Sequence, residues 1–140
     1  MWALKPAMLA LIHPKFLEEP RERVRLPVVS CLSNIMILIA PITPYNHDVM
    51  TRVFRLMIET FSDLDNSVGS TFGKKLDILG GMAMTRTYEI MFNLECDGLI
   101  LQMFQCFFSI KKYHHDTVIA HMQSILSSCM RGHDAICREL

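Results

Sequence analysis

The chain has 140 residues, of which 51% are hydrophobic, with a mean hydropathy of +0.26 and 14 basic against 14 acidic side chains. That length suits one domain around one core, and the composition is too apolar for a disordered segment. Zero net charge excludes a global attraction to nucleic acid or to acidic lipid, so no direct sequence-specific nucleic-acid binding is expected.

In chain order, a first helix is expected to start near Ala3. It does not read as a signal peptide: no basic region precedes the apolar run, Pro6 interrupts it, and no small-x-small site follows. Pro14 and Pro20 bound a linker whose charges, Glu18, Glu19, Arg21, Glu22 and Arg23, read as a solvated turn. A second helix starts near Val24, carries Leu32, Ile35, Met36 and Ile39 on one stripe, and stops at Pro41 and Pro44. The run from Val28 to Ala40 is the longest apolar stretch, but Ser30, Ser33 and Asn34 interrupt it. A bilayer span needs about 18 apolar residues, so no transmembrane segment is expected.

Asn46 or Asp48 caps the next helix, where Met50, Val53, Phe54, Met57, Ile58 and Phe61 make one stripe over about three turns. Ser62 to Ser70 reads as a polar loop, and Ser70 or Thr71 caps a helix carrying Phe72, Leu76 and Leu79. Gly80-Gly81 interrupts that helix; each glycine costs about 0.5–1 kcal/mol relative to alanine. A kink, fraying, or a split into 72–79 and 82–92 is expected there. Asp97-Gly98 and the stretch from His114 to Asp116 mark two more joints. After them come the stripes Leu99, Ile100, Met103, Phe104, Phe107, Phe108 and Val118, Ile119, Met122, Ile125, Leu126, Cys129.

These elements predict an all-α fold of about six antiparallel helices in roughly three pairs. First helices start near Ala3, Asp48 and Gly98, second helices near Val24, Thr71 and Asp116. The spacing is roughly 45 to 50 residues, close to the ~40–47 of HEAT and armadillo units. A HEAT-type helical repeat (α-solenoid) over residues 1–140 is therefore expected, as one segment of a longer solenoid, because both ends look unfinished. A four-helix bundle with extra helices is the alternative. The eleven methionines suit stacking, since methionine fills irregular gaps.

Chemical motifs fail on spacing. Gly69-Ser70-Thr71-Phe72-Gly73-Lys74-Lys75 has three residues between its glycines where a phosphate loop needs four, and Lys75 takes the place of the magnesium-binding hydroxyl. It reads as a capped loop with basic residues in the next helix's first turns. His114, His115 and His121 lack the three- or four-residue spacing of ligands on one helical face and read as exposed loop histidines. No G-x-S-x-G or H-E-x-x-H motif occurs. No enzyme, cofactor or metal site is expected. Cys31, Cys96, Cys106, Cys129 and Cys137 form no C-x-x-C pair and are odd in number, and no N-x-S/T sequon occurs. Both features point to a reducing compartment, cytosol or nucleus.

The stretch Ala40-Pro41-Ile42-Thr43-Pro44-Tyr45 stands out. Two prolines stiffen a short connection and set an aromatic beside it. It reads either as a helix stop with a packed loop or as a rigid loop that docks a short peptide.

This loop also carries a resemblance. The stretch Leu26 to Phe61, with Val28 to Ile35, then Ile39-Ala40-Pro41, Pro44-Tyr45, His47-Asp48, Met50, Val53-Phe54 and Leu56-Met57, resembles the amino-terminal HEAT region of sister-chromatid cohesion regulators of the precocious-dissociation-of-sisters (Pds-five) family, particularly its plant branch, and the resemblance extends in order from about Ala3 to Leu140. Leu94-Glu95-Cys96-Asp97-Gly98-Leu99-Ile100 with Met103-Phe104-Gln105 is a second similar stretch. The resemblance implies a nuclear, non-enzymatic scaffold that binds cohesin subunits and cohesin regulators, acting in sister chromatid cohesion and, in plants, DNA repair. It implies indirect chromatin association and no membrane role. The family's loop reads Ala-Pro-Asp-Ala-Pro-Tyr and docks short motifs of cohesin regulators. Its matching positions here are Ala40, Pro41, Pro44 and Tyr45, the expected partner-binding residues. Ile42 replaces the family's Asp and Thr43 its Ala, so weakened or altered partner binding is expected. A general HEAT adaptor for transport or signalling, and a truncated product without independent function, remain the alternatives.

Overall fold

The computed structural model describes residues 2–40, 42–64, 70–109 and 116–132. Pro41, His114, His115, Cys137 and the centre of the Ser62 to Ser70 stretch lie outside them. Eight α-helices follow one another among the described residues: α1 (Lys5–Leu11), α2 (Pro14–Leu17), α3 (Glu22–Ile39), α4 (His47–Glu59), α5 (Phe72–Thr85), α6 (Tyr88–Asn93), α7 (Asp97–Ser109) and α8 (Asp116–Gly132). Short 3-10 turns cover Trp2–Leu4 and Thr60–Asp63.

Six of these are the expected pairs, with starts within about two residues of the positions read from sequence. The other two are extra. Pro14 begins α2 rather than a linker, because proline's fixed φ suits a helix's first position, and His13 caps that turn by accepting the Lys15 N–H at 3.1 Å. The short α6 lies between α5 and α7.

The pairs stack as a helical repeat. Second helices form one layer: α3 packs on α5, and α5 on α8. Helices α3 and α5 run parallel, since Glu22 meets Lys75 near the start of both, and Ile37 meets Gly81 near their ends. First helices form the other layer, where α4 packs on α7. From one repeat to the next the direction reverses: Arg25 near the start of α3 shares a groove with Glu59 at the end of α4. This is a HEAT-like helical repeat.

The core follows the stripes. Met50, Val53, Phe54, Met57, Ile58 and Phe61 are all buried, as are Leu99, Ile100, Met103, Phe104 and Phe107. Phe61 and Phe107 join the two repeats with ring centroids 5.9 Å apart. Full burial of each such side chain stabilises by roughly 1.5–3 kcal/mol. Phe108 departs from its expected stripe and is 62% exposed.

Four further expectations change. Helix α5 runs unbroken through Gly80-Gly81 and ends instead at Arg86, which turns left-handed at φ 57°. The glycines are there for close approach: an added Cβ would lie 3.0 Å from His121 Nε2 at Gly80 and 2.6 Å from Ile37 Cδ1 at Gly81. His121 is accordingly a half-buried helical residue packed between α8 and α5, not an exposed loop histidine. Lys75, in the first turn of α5, is buried and pairs with Glu22 at 2.6 Å, so Glu22 belongs to an ion pair between helices and not to a solvated turn. Asp97 and Gly98 open α7; the joint lies just before them, where Glu95 turns left-handed at φ 56°.

Candidate partner-binding loop

The loop from Ala40 to Tyr45 joins the end of α3 to the start of α4. Ala40 ends α3 with ψ 142°, the extended conformation that a following proline imposes, while its N–H still donates to the Met36 carbonyl at 2.9 Å. The Ile42 N–H donates to the Ile39 carbonyl at 2.9 Å, folding the chain back over the helix end. At the far side Asn46 caps α4, its Oδ1 accepting the Val49 N–H at 3.0 Å. The loop is thus anchored at α3 by backbone hydrogen bonds and at α4 by a side-chain cap.

Of the four expected partner-binding residues, Ala40, Pro44 and Tyr45 are described and all three are half-buried. Pro41 lies outside the described residues. The Tyr45 hydroxyl donates to the Met8 carbonyl at 2.7 Å, and the ring packs against the core. Burial pushes this phenol up to about 12. Tyr45 therefore ties the loop to α1, while Ile42 and Thr43 are exposed at its tip. Geometrically the loop is a short, pinned projection whose outward chemistry is one aliphatic and one hydroxyl side chain.

Elsewhere charged side chains pair with one another. The Arg21 guanidinium and N–H bind Glu19, at 2.7 Å for the shortest contact, and hold its carboxyl down to about 2. Glu18 reaches Arg52 on α4 at 3.1 Å, a second tie between the first and second repeats. Among the described residues no three His, Cys, Asp or Glu side chains gather as a metal ion requires, and no helix is long and apolar enough to cross a membrane.

Sequence reasoning missed one polar cluster. Arg86 and Thr87 form the corner between α5 and α6, beside Ala40. Thr87 is buried and its Oγ1 makes no hydrogen bond. No glycine or asparagine marks the left-handed position at Arg86, so the usual turn signal was absent.

A family model described as "Sister chromatid cohesion protein PDS5 protein" matches residues 2–140. The Arabidopsis thaliana "Sister chromatid cohesion protein PDS5 homolog E" is 39% identical over 125 residues, covering 89% of this chain and 13% of that protein. Homolog C of the same plant is 32% identical over 139 residues, covering 99% and 16%. The Homo sapiens "Sister chromatid cohesion protein PDS5 homolog A" is 32% identical over 138 residues, covering 96% and 10%. The chain thus spans less than a fifth of the length of these curated relatives.

Proposed function

The chain belongs to the PDS5 family of sister chromatid cohesion proteins, and on that premise we propose that it is a non-catalytic scaffold which binds cohesin subunits or their regulators in the nucleus. The observation that carries this reading is the pinned loop. Ala40, Pro44 and Tyr45 keep the family's residues at the joint between the first and second repeats, and Tyr45 fixes the loop's height by bonding α1. The same role in plants extends to DNA repair. Chromatin association is then indirect, through the bound cohesin.

The loop tip sets the strength. Where the family offers a carboxylate to a docking peptide, Ile42 offers an aliphatic side chain 54% exposed to solvent. A charged hydrogen bond contributes roughly 1.5–3 kcal/mol, so its loss weakens docking by one to two orders of magnitude.

Pull-down of cohesin subunits and of release-factor peptides by the purified chain tests this. We expect weak capture that Ile42→Asp strengthens about tenfold or more and that Tyr45→Ala abolishes. Capture indifferent to both substitutions would remove the loop from the interface. Binding of cytosolic cargo with no cohesin component would replace this reading with a general adaptor.

A further inference from the structure

Three consecutive side chains lead from the prolyl loop into α4, and each is bound to a different element. The Tyr45 hydroxyl donates to the Met8 carbonyl of α1 at 2.7 Å. Asn46 Oδ1 accepts the Val49 N–H of α4 at 3.0 Å. The His47 ring reaches away from its own helix: Nε2 lies 3.0 Å from the carbonyl oxygen of Leu94, the residue that follows α6. A carbonyl oxygen only accepts, so His47 Nε2 carries the hydrogen.

That bond belongs to a closed circuit. Thr51, one turn along α4, donates its hydroxyl hydrogen to the His47 carbonyl at 2.9 Å. With that hydrogen committed, Thr51 Oγ1 faces the Cys96 thiol as an acceptor, 3.7 Å from Sγ. Cys96 Sγ also lies 3.7 Å from the Leu94 carbonyl, which has a second lone pair to receive it. The circuit runs from His47 through Thr51, Cys96 and Leu94 back to His47. Thiol hydrogen bonds are weak, so the His47–Leu94 bond is its strong cross-link. Asp48 does not hold the ring: its carboxylate is 98% exposed and lies 3.7 Å from Nδ1, beyond hydrogen-bond distance. The prolyl loop and the Leu94–Gly98 stretch, far apart in sequence, thus meet at one carbonyl. We propose that His47 is a positioning residue for the prolyl loop: through the Leu94 carbonyl it fastens the loop's α4 end to the α6–α7 turn, so that the loop is strung between the first repeat, held by Tyr45, and the third, held by His47. Its bearing on docking rests on reading that loop as partner-binding.

Amide hydrogen exchange of the whole 140-residue chain tests it, read at Ile42 on the loop, whose N–H donates to the Ile39 carbonyl, and at Phe54 in the core of α4. His47→Phe keeps a ring and removes the donor. Ile42 is expected to exchange about fivefold faster in that variant while Phe54 is unchanged, because local opening is governed by local bonds. His47→Gln returns an N–H donor at similar reach and is expected to restore the parent rate to within about twofold. Asp48→Asn is expected to leave Ile42 as it is. A merely structural His47 would speed Ile42 and Phe54 together, and that result would overturn the proposal. So would an unchanged Ile42 in His47→Phe, no rescue by His47→Gln, or an Asp48→Asn chain that behaves like His47→Phe. Capture of release-factor peptides should follow the same order, with His47→Phe weakest. The exchange rates need no partner. If the parent chain captures no peptide, the docking reading falls, and the positioning role is still decided by Ile42.

Discussion

Tyr45 shows how one hydroxyl couples a surface loop to the stack. Its hydrogen bond to the Met8 carbonyl is the only one among the described side chains found to tie this loop to α1. Tyr45→Phe keeps the ring's packing and removes that bond, so a loss of about 1 kcal/mol is expected in urea denaturation. The same residue predicts an alkaline limit. Burial raises Tyr45 from 10.0 to about 12 and Cys129 from 9.0 to about 12. Both groups hold their protons more tightly when folded. The stability they contribute is complete below the unfolded values and is lost as pH rises through the folded ones. Denaturation midpoints should therefore fall between about pH 9 and pH 12, and Tyr45→Phe should narrow its deficit against the parent chain above pH 10. A deficit that widens there would reverse the sign and remove the argument.

Among the elements, α5 is the keystone because it touches both neighbours of its layer. Gly81 lets Ile37 of α3 approach, and Gly80 does the same for His121 of α8. Gly81→Ala alone should gain little, since the helix-propensity benefit of about 1 kcal/mol is offset by the clash with Ile37 Cδ1. Ile37→Val deletes that methyl. The double variant Gly81→Ala/Ile37→Val should be more stable than the two single changes add up to, with a coupling of about 1 kcal/mol in a double-mutant cycle. Additive singles would show that α3 and α5 do not meet at Gly81. The layer's other end is held by the Lys75–Glu22 pair. Lys75 is buried while Glu22 is half-exposed, so Glu22→Gln should cost about 1 kcal/mol. A thermal melt of that variant measures it; an unchanged midpoint would mean the pair is solvent-screened.

For the whole molecule, three helix pairs make two layers whose cohesion comes from Met and Phe side chains shared between successive repeats. The proposed docking loop lies at one edge of this stack, where α3 ends, α4 begins and the α5–α6 corner closes beside Ala40. That clustering joins residues roughly 45 apart in sequence. It arises because α3 and α5 run parallel, so their ends fall at a common edge.

The sequence by itself determined the repeat. Apolar residues at helical spacing set the buried faces of α4, α7 and α8, and the distance between capping signals set the pairs, because both depend on local periodicity. It also singled out the Ala40–Tyr45 loop, since prolines act through their own backbone. Only the tertiary structure decided what Gly80-Gly81, Lys75, His121 and Thr87 do. Each depends on what arrives from another helix: a methyl group, a carboxylate, a glycine face, or nothing at all. Local pattern carries no record of such neighbours, and for that reason the glycines read as a break where the fold uses them as a contact.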